Sequence, residues 1–189
     1  MNKDTGVGGV NPRSSAELQR HAPLERMGKA WIEQPETYFI GTWDERNPLN
    51  TPGPFYGAET DTCLDGPEYA PMSLLCDADG NGFVWRQPQT DEETIALMTG
   101  GSSDPFKGFG WDGDEHWTPS LVREWWARQN ERAPLVDALG AHWTEPKLSV
   151  SAAAYVDYIN GELPRYLRRY LFFREIGRYP LSGEVLPAL

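Results

Sequence analysis

Proline and glycine, at sixteen and nineteen of 189 residues, divide the chain into short segments, and their positions limit its fold more than any other feature. Five of them lie within residues 44–58, too close together for a helix or a strand. A loop of this length in a compact domain is usually functional or packed by its own side chains. A second loop rich in Gly, Pro and aromatic residues covers 104–119. We expect any site to lie in these two loops, 52–63 and 104–119.

The periodic segments between the loops predict an α+β protein. β-branched and aromatic residues favour a strand at 37–43 and a hairpin of strands 71–76 and 83–87. Helical spacing and capping residues predict helices in the second half, where Gly161 and Gly177 mark helix ends. We therefore expect a small antiparallel sheet in the N-terminal half packed against a helical C-terminal half. The predicted helices cover 14–31 with a break at Pro23, then 91–99, a segment after Thr118, 134–140, 149–160 and 163–176.

Chain length predicts one domain with an appended arm. Residues 1–13 are polar and rich in glycine, which favours a flexible arm, and residues 14–189 form the single globular domain. Eight Trp, eight Tyr and seven Phe indicate a core rich in aromatic rings.

Negative charge is concentrated in residues 31–120, where seventeen acidic residues face three basic ones, a net charge of −14. The whole chain carries −11. This balance argues against nucleic acid and against an anionic membrane surface. It favours a cationic protein partner, a small molecule or a divalent metal.

Two cysteines, Cys63 and Cys76, cannot hold an iron–sulfur cluster, which normally takes four ligands. The N-terminal residues contain no apolar segment typical of a secretory signal. We therefore expect a cytoplasmic protein with both cysteines as thiols.

The segment Asp112-Gly-Asp-Glu-His116 concentrates chemically active side chains. If it is extended, Asp112, Asp114 and His116 alternate onto one side and suit a divalent metal. His116 among carboxylates also suits acid–base catalysis. A structural interpretation stands beside both, because acidic residues ahead of a helix favour its positive end.

In the first loop, Glu59 and Asp61 alternate and can form an acid and base pair in one pocket. Tyr56 would orient a substrate, and Cys63 would be a nucleophile if a histidine reached it. Carboxylates that accept backbone hydrogen bonds in a Gly/Pro loop are the structural alternative.

Two other patterns have structural explanations of their own. Asp77-x-Asp79-x-Asn81-Gly82 resembles half of a calcium loop, but position twelve is Pro88, and a polar hairpin turn explains it. The arginines of 163–178 indicate a solvated helix face that pairs with acidic loops, with an anion contact as the alternative.

Residues 38–63, the segment 112–119 with Trp125 and Trp126, and the tail 177–189 resemble a family of small acidic actinobacterial proteins of uncharacterised function. Members are sometimes labelled ferredoxins, a label that two cysteines do not support. The resemblance implies a bacterial cytoplasmic protein and brings no activity, ligand or site residues.

Two functions follow from these observations. The first is an acidic binding or accessory protein that docks a basic or aromatic partner through its loops, with Phe55, Tyr56, Trp111 and Trp117 as contact residues. The alternative is a small-molecule enzyme with a pocket between the two loops. Its catalytic residues would be Glu59, Asp61 and His116, with Asp112, Asp114 and His116 as ligands if it uses a metal.

Overall fold

The computed structural model describes residues 35–60, 65–142, 144 and 146–189, so the predicted arm 1–13 and helix 14–31 lie outside the described residues. The fold is α+β, as predicted, with short antiparallel strands in the N-terminal half and long helices after residue 118. None of the helices in the described ranges is long and apolar enough to cross a membrane. In chain order the elements are β1 Tyr56–Gly57, α1 Asp65–Tyr69, β2 Leu74–Cys76, β3 Gly82–Val84, α2 Asp91–Ser102, β4 Phe109–Gly110, α3 Gly113–His116, α4 Pro119–Ala127, α5 Gln129–His142, α6 Pro146–Asn160 and α7 Leu163–Ile176.

The predicted hairpin is confirmed: β2 pairs with β3, with Leu75 opposite Phe83. Asp77 closes the turn, because its Oδ1 accepts from the amides of Asp79 and Asn81, and its Oδ2 accepts from Asn47 Nδ2. These bonds occupy the carboxylate and give the calcium-like pattern a structural explanation.

The strand predicted at 37–43 is wrong, because 3₁₀ turns form at Pro35–Thr37 and Trp43–Glu45 and the residues between them are irregular. Between them, the amides of Ile40 and Gly41 donate to the carbonyls of Lys107 and Phe109. The segment therefore joins the second loop by backbone pairing without becoming a regular strand.

Helix α2 begins as predicted, with Thr90 Oγ1 accepting from the Glu93 amide at 3.1 Å. The predicted end at Gly100 and Gly101 is wrong, since the helix continues to Ser102. The two glycines serve packing instead: a Cβ on Gly101 would lie 2.7 Å from the Phe39 ring, and one on Gly100 would lie 2.8 Å from Leu74.

Helix α4 has the predicted Thr118 cap, and α7 ends at Gly177 with φ +80°, as predicted. Helices α5 and α6 are longer than the predicted 134–140 and 149–160. Helix α5 begins at Gln129, so Pro134 lies inside the helix and not at its first residue as predicted. In α7, Arg168 binds the carbonyls of Leu186 and Pro187. Arg174 binds the carbonyl of Trp117 in the second loop, and its charge favours the ionised form of Asp114 there.

Tyrosine hydroxyls of the C-terminal helices contact the N-terminal loops. Tyr155 donates to the Leu49 carbonyl at 3.0 Å, and Tyr166 donates to the Pro52 carbonyl at 2.8 Å. Both rings lie in the larger core cluster together with Trp85 and Leu167. The C-terminal helices therefore hold the backbone of Leu49 and Pro52 in place through these two bonds.

Candidate functional site

The two loops predicted to carry a site are joined to each other. Strand β1 belongs to the first loop and β4 to the second, and they pair with Tyr56 opposite Gly110. The contact is close: a Cβ on Gly110 would lie 2.1 Å from the Tyr56 ring. Only glycine at this position lets the Tyr56 ring cross the second loop.

Buried amide side chains hold the first loop in place. Asn50 is 2% exposed, and its Oδ1 accepts from the amides of Gly57 and Val84 while its Nδ2 donates to the carbonyls of Asn47 and Gly57. Gln87, which is fully buried, donates to the carbonyls of Thr51 and Phe55. These bonds satisfy backbone groups of residues 47–57, most of which lack regular structure.

Three of the predicted site residues meet where the loops join. The Tyr56 hydroxyl lies 2.6 Å from Asp112 Oδ1 and 3.0 Å from the Gly41 carbonyl, so its single proton goes to the carboxylate. The other carboxylate oxygen of Asp112 lies 3.2 Å from His116 Nε2. Asp112 thus connects a buried phenol to an imidazole that is about one-third exposed.

Aromatic rings surround this cluster. The indole of Trp43 stacks on the His116 ring with centroids 4.8 Å apart, and meets Tyr56 and Trp117 edge to face. The Arg46 guanidinium also lies over the Trp43 ring, 4.0 Å from its centroid. Trp43 therefore fixes the orientation of His116 while Asp112 holds its Nε2.

Asp114 does not join this group, because residues 113–116 form helix α3 and not the extended segment on which the alternation depended. Helical spacing brings Asp112 and His116 together and directs Asp114 to the Tyr170 hydroxyl, 2.6 Å away. In the described parts of the chain, no three His, Cys, Asp or Glu side chains are placed to hold a metal ion.

The pKa values of the cluster follow from burial and hydrogen bonding. Burial and the bond to Asp112 raise the pKa of Tyr56 well above its usual range, so the phenol stays protonated. Burial alone would raise the pKa of Asp112, but bonds from Tyr56 and His116 outweigh it and lower that pKa below its ordinary value. Burial raises the pKa of Asp114 despite its bond to Tyr170.

Residues of both loops line a groove of about 370 Å³. We call it the acidic groove; its walls are Ile40, Gly41, Glu45, Glu59, Thr60, Asn81, Phe106 and Gly108. Phe106 is 63% exposed and Ile40 57%, which is unusual for large apolar side chains. Glu59 is exposed and forms no hydrogen bond or ion pair with any described residue, whereas Glu45 accepts from Thr42 Oγ1.

The remaining predicted residues fall in different places. Glu59 lines the acidic groove and His116 does not, so the structure does not bring these two together. Asp61 and Cys63 lie outside the described residues. Phe55 and Tyr56 are 1% exposed, so their rings belong to the core and cannot contact a partner.

The other two aromatic residues predicted to contact a partner are also held by the protein interior. Trp117 is 4% exposed and belongs to the larger core cluster. Trp111 is partly buried and packs against the smaller cluster that contains Phe39 and Phe109. Neither ring stands out from the surface as Phe106 does.

Sequence reasoning missed Trp43, Arg46 and Phe106. Trp43 and Arg46 sit in a segment interpreted as the end of a strand and the start of a loop, and nothing in the local pattern indicates contact with a residue seventy positions away. Phe106 follows Pro105 in a loop of many aromatic residues, and the sequence does not show which ring is exposed.

Comparisons of the chain with protein-family models, with curated proteins and with solved structures each found no match. The resemblance to actinobacterial proteins therefore stays a prediction.

Proposed function

We propose that this protein is a binding or accessory protein, and that its acidic groove docks a short segment of another protein carrying Lys or Arg next to an aromatic or aliphatic side chain. The observation behind the proposal is that both loops line one groove, where exposed apolar side chains stand beside the exposed carboxylate of Glu59. The apolar walls suit an apolar anchor, and the carboxylates suit a cation.

Charge complementarity selects a basic partner. Residues 31–120 supply both carboxylates of the groove and carry a net charge of −14, so the field around the groove attracts cations. Lys107 is a neighbouring cation, and its ammonium lies 5.5 Å from the Tyr38 ring.

A displayed library of random peptides tests the proposal. We expect selection on the wild-type protein to enrich peptides with Lys or Arg beside an aromatic or aliphatic residue. The affinity of the best peptide, measured by calorimetry, should fall at least tenfold in Glu59→Gln and in Phe106→Ala, and it should fall with added salt.

Helix α5 offers matched controls. Asp137→Asn and Leu135→Ala remove an exposed carboxylate and a 54% exposed apolar side chain outside the groove, and both should bind like the wild type. Enrichment of acidic peptides, or equal affinity of the groove variants and the wild type, would refute the docking site.

A second candidate, a small-molecule enzyme, is favoured by one observation: Asp112 holds His116 Nε2, which leaves Nδ1 as a candidate general base. Such a base should hydrolyse an activated ester such as p-nitrophenyl acetate faster than free imidazole does at the same concentration. The excess rate should disappear in His116→Gln and persist in His142→Gln, whose histidine is exposed on α5. Equal rates for both variants would exclude this candidate.

A further inference from the structure

A second cleft, of about 360 Å³, differs in charge from the rest of this acidic chain. Three arginines line it. Arg46 follows the Trp43–Glu45 turn, Arg128 directly precedes α5, and Arg132 lies near the start of that helix. The lining carboxylates are two, Asp44 and Glu124. The indoles of Trp117 and Trp125 complete its apolar wall. We call it the arginine cleft.

Among the described residues, two of these arginines bond to backbone carbonyls and form no ion pair. Arg46 donates from Nη1 to the Trp43 carbonyl, and Arg132 donates to the carbonyls of Pro48 and Trp125. Neither forms an ion pair with a residue in the described ranges, whereas the exposed Arg128 pairs with Glu131 at 2.9 Å. Carbonyl oxygens fix the direction of a guanidinium group but do not neutralise its charge.

Both guanidinium groups are also partly removed from water. Arg46 lies 4.0 Å from the Trp43 ring and Arg132 lies 4.2 Å from the Trp125 ring. Burial lowers the pKa of both groups, although the charge of Asp44 opposes this at Arg46. Arginine nevertheless stays protonated, so each charge is partly desolvated without an ion pair to any described residue.

We propose that the arginine cleft binds a small organic anion, a phosphate or carboxylate group carried on an apolar or aromatic body. Guanidinium groups bind these oxyanions with two parallel hydrogen bonds, and they do so more strongly where water is partly excluded. Leu121 and the Trp125 indole supply the apolar lining for the body of the ligand. The volume lies within the range of small-molecule sites. The site shares no lining residue with the acidic groove and does not rest on the proposed docking function.

Titration with small probes tests the anion and identifies its class. Phenyl phosphate and benzoate are added to the full chain at constant ionic strength, with sodium chloride as the reference and benzyl alcohol as the neutral analogue. We expect at least one anion to raise the thermal midpoint and to change the tryptophan fluorescence saturably. The stronger of the two tells whether the ligand is a phosphate or a carboxylate. No saturable response to either anion, or an equal response to benzyl alcohol, would overturn the proposal.

Variants locate the binding site. Arg46→Met and Arg132→Met should each weaken the apparent affinity at least tenfold. Arg123→Met is the matched control, because Arg123 pairs with Glu175 and lies outside the cleft, and it should leave the affinity unchanged. Folded methionine variants that bind like the wild type would show that the anion binds elsewhere.

Arg46 and Arg132 also hold backbone carbonyls, so circular dichroism of each variant checks the fold. Where a methionine variant does not fold, Arg46→Lys and Arg132→Lys decide the question. Lysine keeps the charge but loses the paired donors, and the affinity should fall severalfold with the fold intact. Unchanged affinity in both lysine variants would contradict binding by the guanidinium groups.

Discussion

The bond between Tyr56 and Asp112 joins side chains of the two loops, and Tyr56→Phe removes it while keeping the ring. A hydrogen bond to a charged group contributes ~1.5–3 kcal/mol to the free energy of unfolding. The Asp112 side chain is 42% exposed, so water replaces part of the lost bond. We therefore expect a loss of about 1–2 kcal/mol, around the lower end of that range. With a urea slope of about 2 kcal/mol per molar, the midpoint of unfolding falls by about 0.5–1 M.

The loss should depend on pH in a definite direction. Bonds from Tyr56 and His116 hold the pKa of folded Asp112 below its ordinary value, so the ionised carboxylate stabilises the fold above the unfolded pKa. That stabilisation disappears as the pH falls through the folded pKa. The difference between the wild type and Tyr56→Phe is thus largest near pH 7 and shrinks below about pH 4.

Tyr158→Phe is the matched control for urea unfolding, because Tyr158 is 7% exposed and its hydroxyl makes no hydrogen bond with any described residue. This variant should lose little stability at any pH. A loss below ~0.5 kcal/mol in Tyr56→Phe, or equal losses in both variants, would refute the reasoning, since surface substitutions commonly fall in that range.

The other predictions concern the fold. Thr90→Ala removes the cap of α2 and should lower the free energy of unfolding by ~1 kcal/mol, whereas Thr90→Ser should retain most of it; urea unfolding measures both. Gly57→Ala places a Cβ 2.0 Å from the Gly82 carbonyl oxygen and should prevent close contact of β1 with β3, giving a thermal midpoint at least about 10 °C lower; wild-type stability would show that β1 can move away. Burial raises the pKa of Asp114, so its contribution to stability is lost as the pH rises through the folded value, and Asp114→Asn should gain relative to the wild type between pH 3 and pH 7. If Asp114→Asn instead lost stability relative to the wild type as the pH rose, the Tyr170 bond or Arg174 would stabilise the charge of Asp114.

Local signals predicted the elements correctly where the residues that form an element are neighbours in sequence. The hairpin around Asp77 and the caps Thr90 and Thr118 depend on contacts within four residues, and the structure confirms them. The predicted end of α2 was wrong for a physical reason. Gly101 makes room for the Phe39 ring, and the local sequence does not show this contact with a residue about sixty positions earlier.

The site could be predicted only in part for the same reason. The two loops were identified by their composition, and the structure joins them through Tyr56 and Gly110. Which side chains meet was not predictable, since it depends on whether residues 113–116 are extended or helical. That choice separates Asp114 from the pair of Asp112 and His116. The net charge of residues 31–120 also gave no sign of the arginine cleft, because acidic residues outnumber Arg46 in that segment.

The hydroxyls of Tyr155, Tyr166 and Tyr170 bond to oxygens 56 to 114 residues earlier in the chain. A fragment of residues 35–142 would contain every side chain that lines the acidic groove and the arginine cleft, yet it would lack all three hydroxyls. The loops that form both proposed sites are therefore held by residues that line neither site. A mutational scan scored on binding to either proposed site should return sensitive positions at these tyrosines, and such positions report support of the loops and not contact with a ligand.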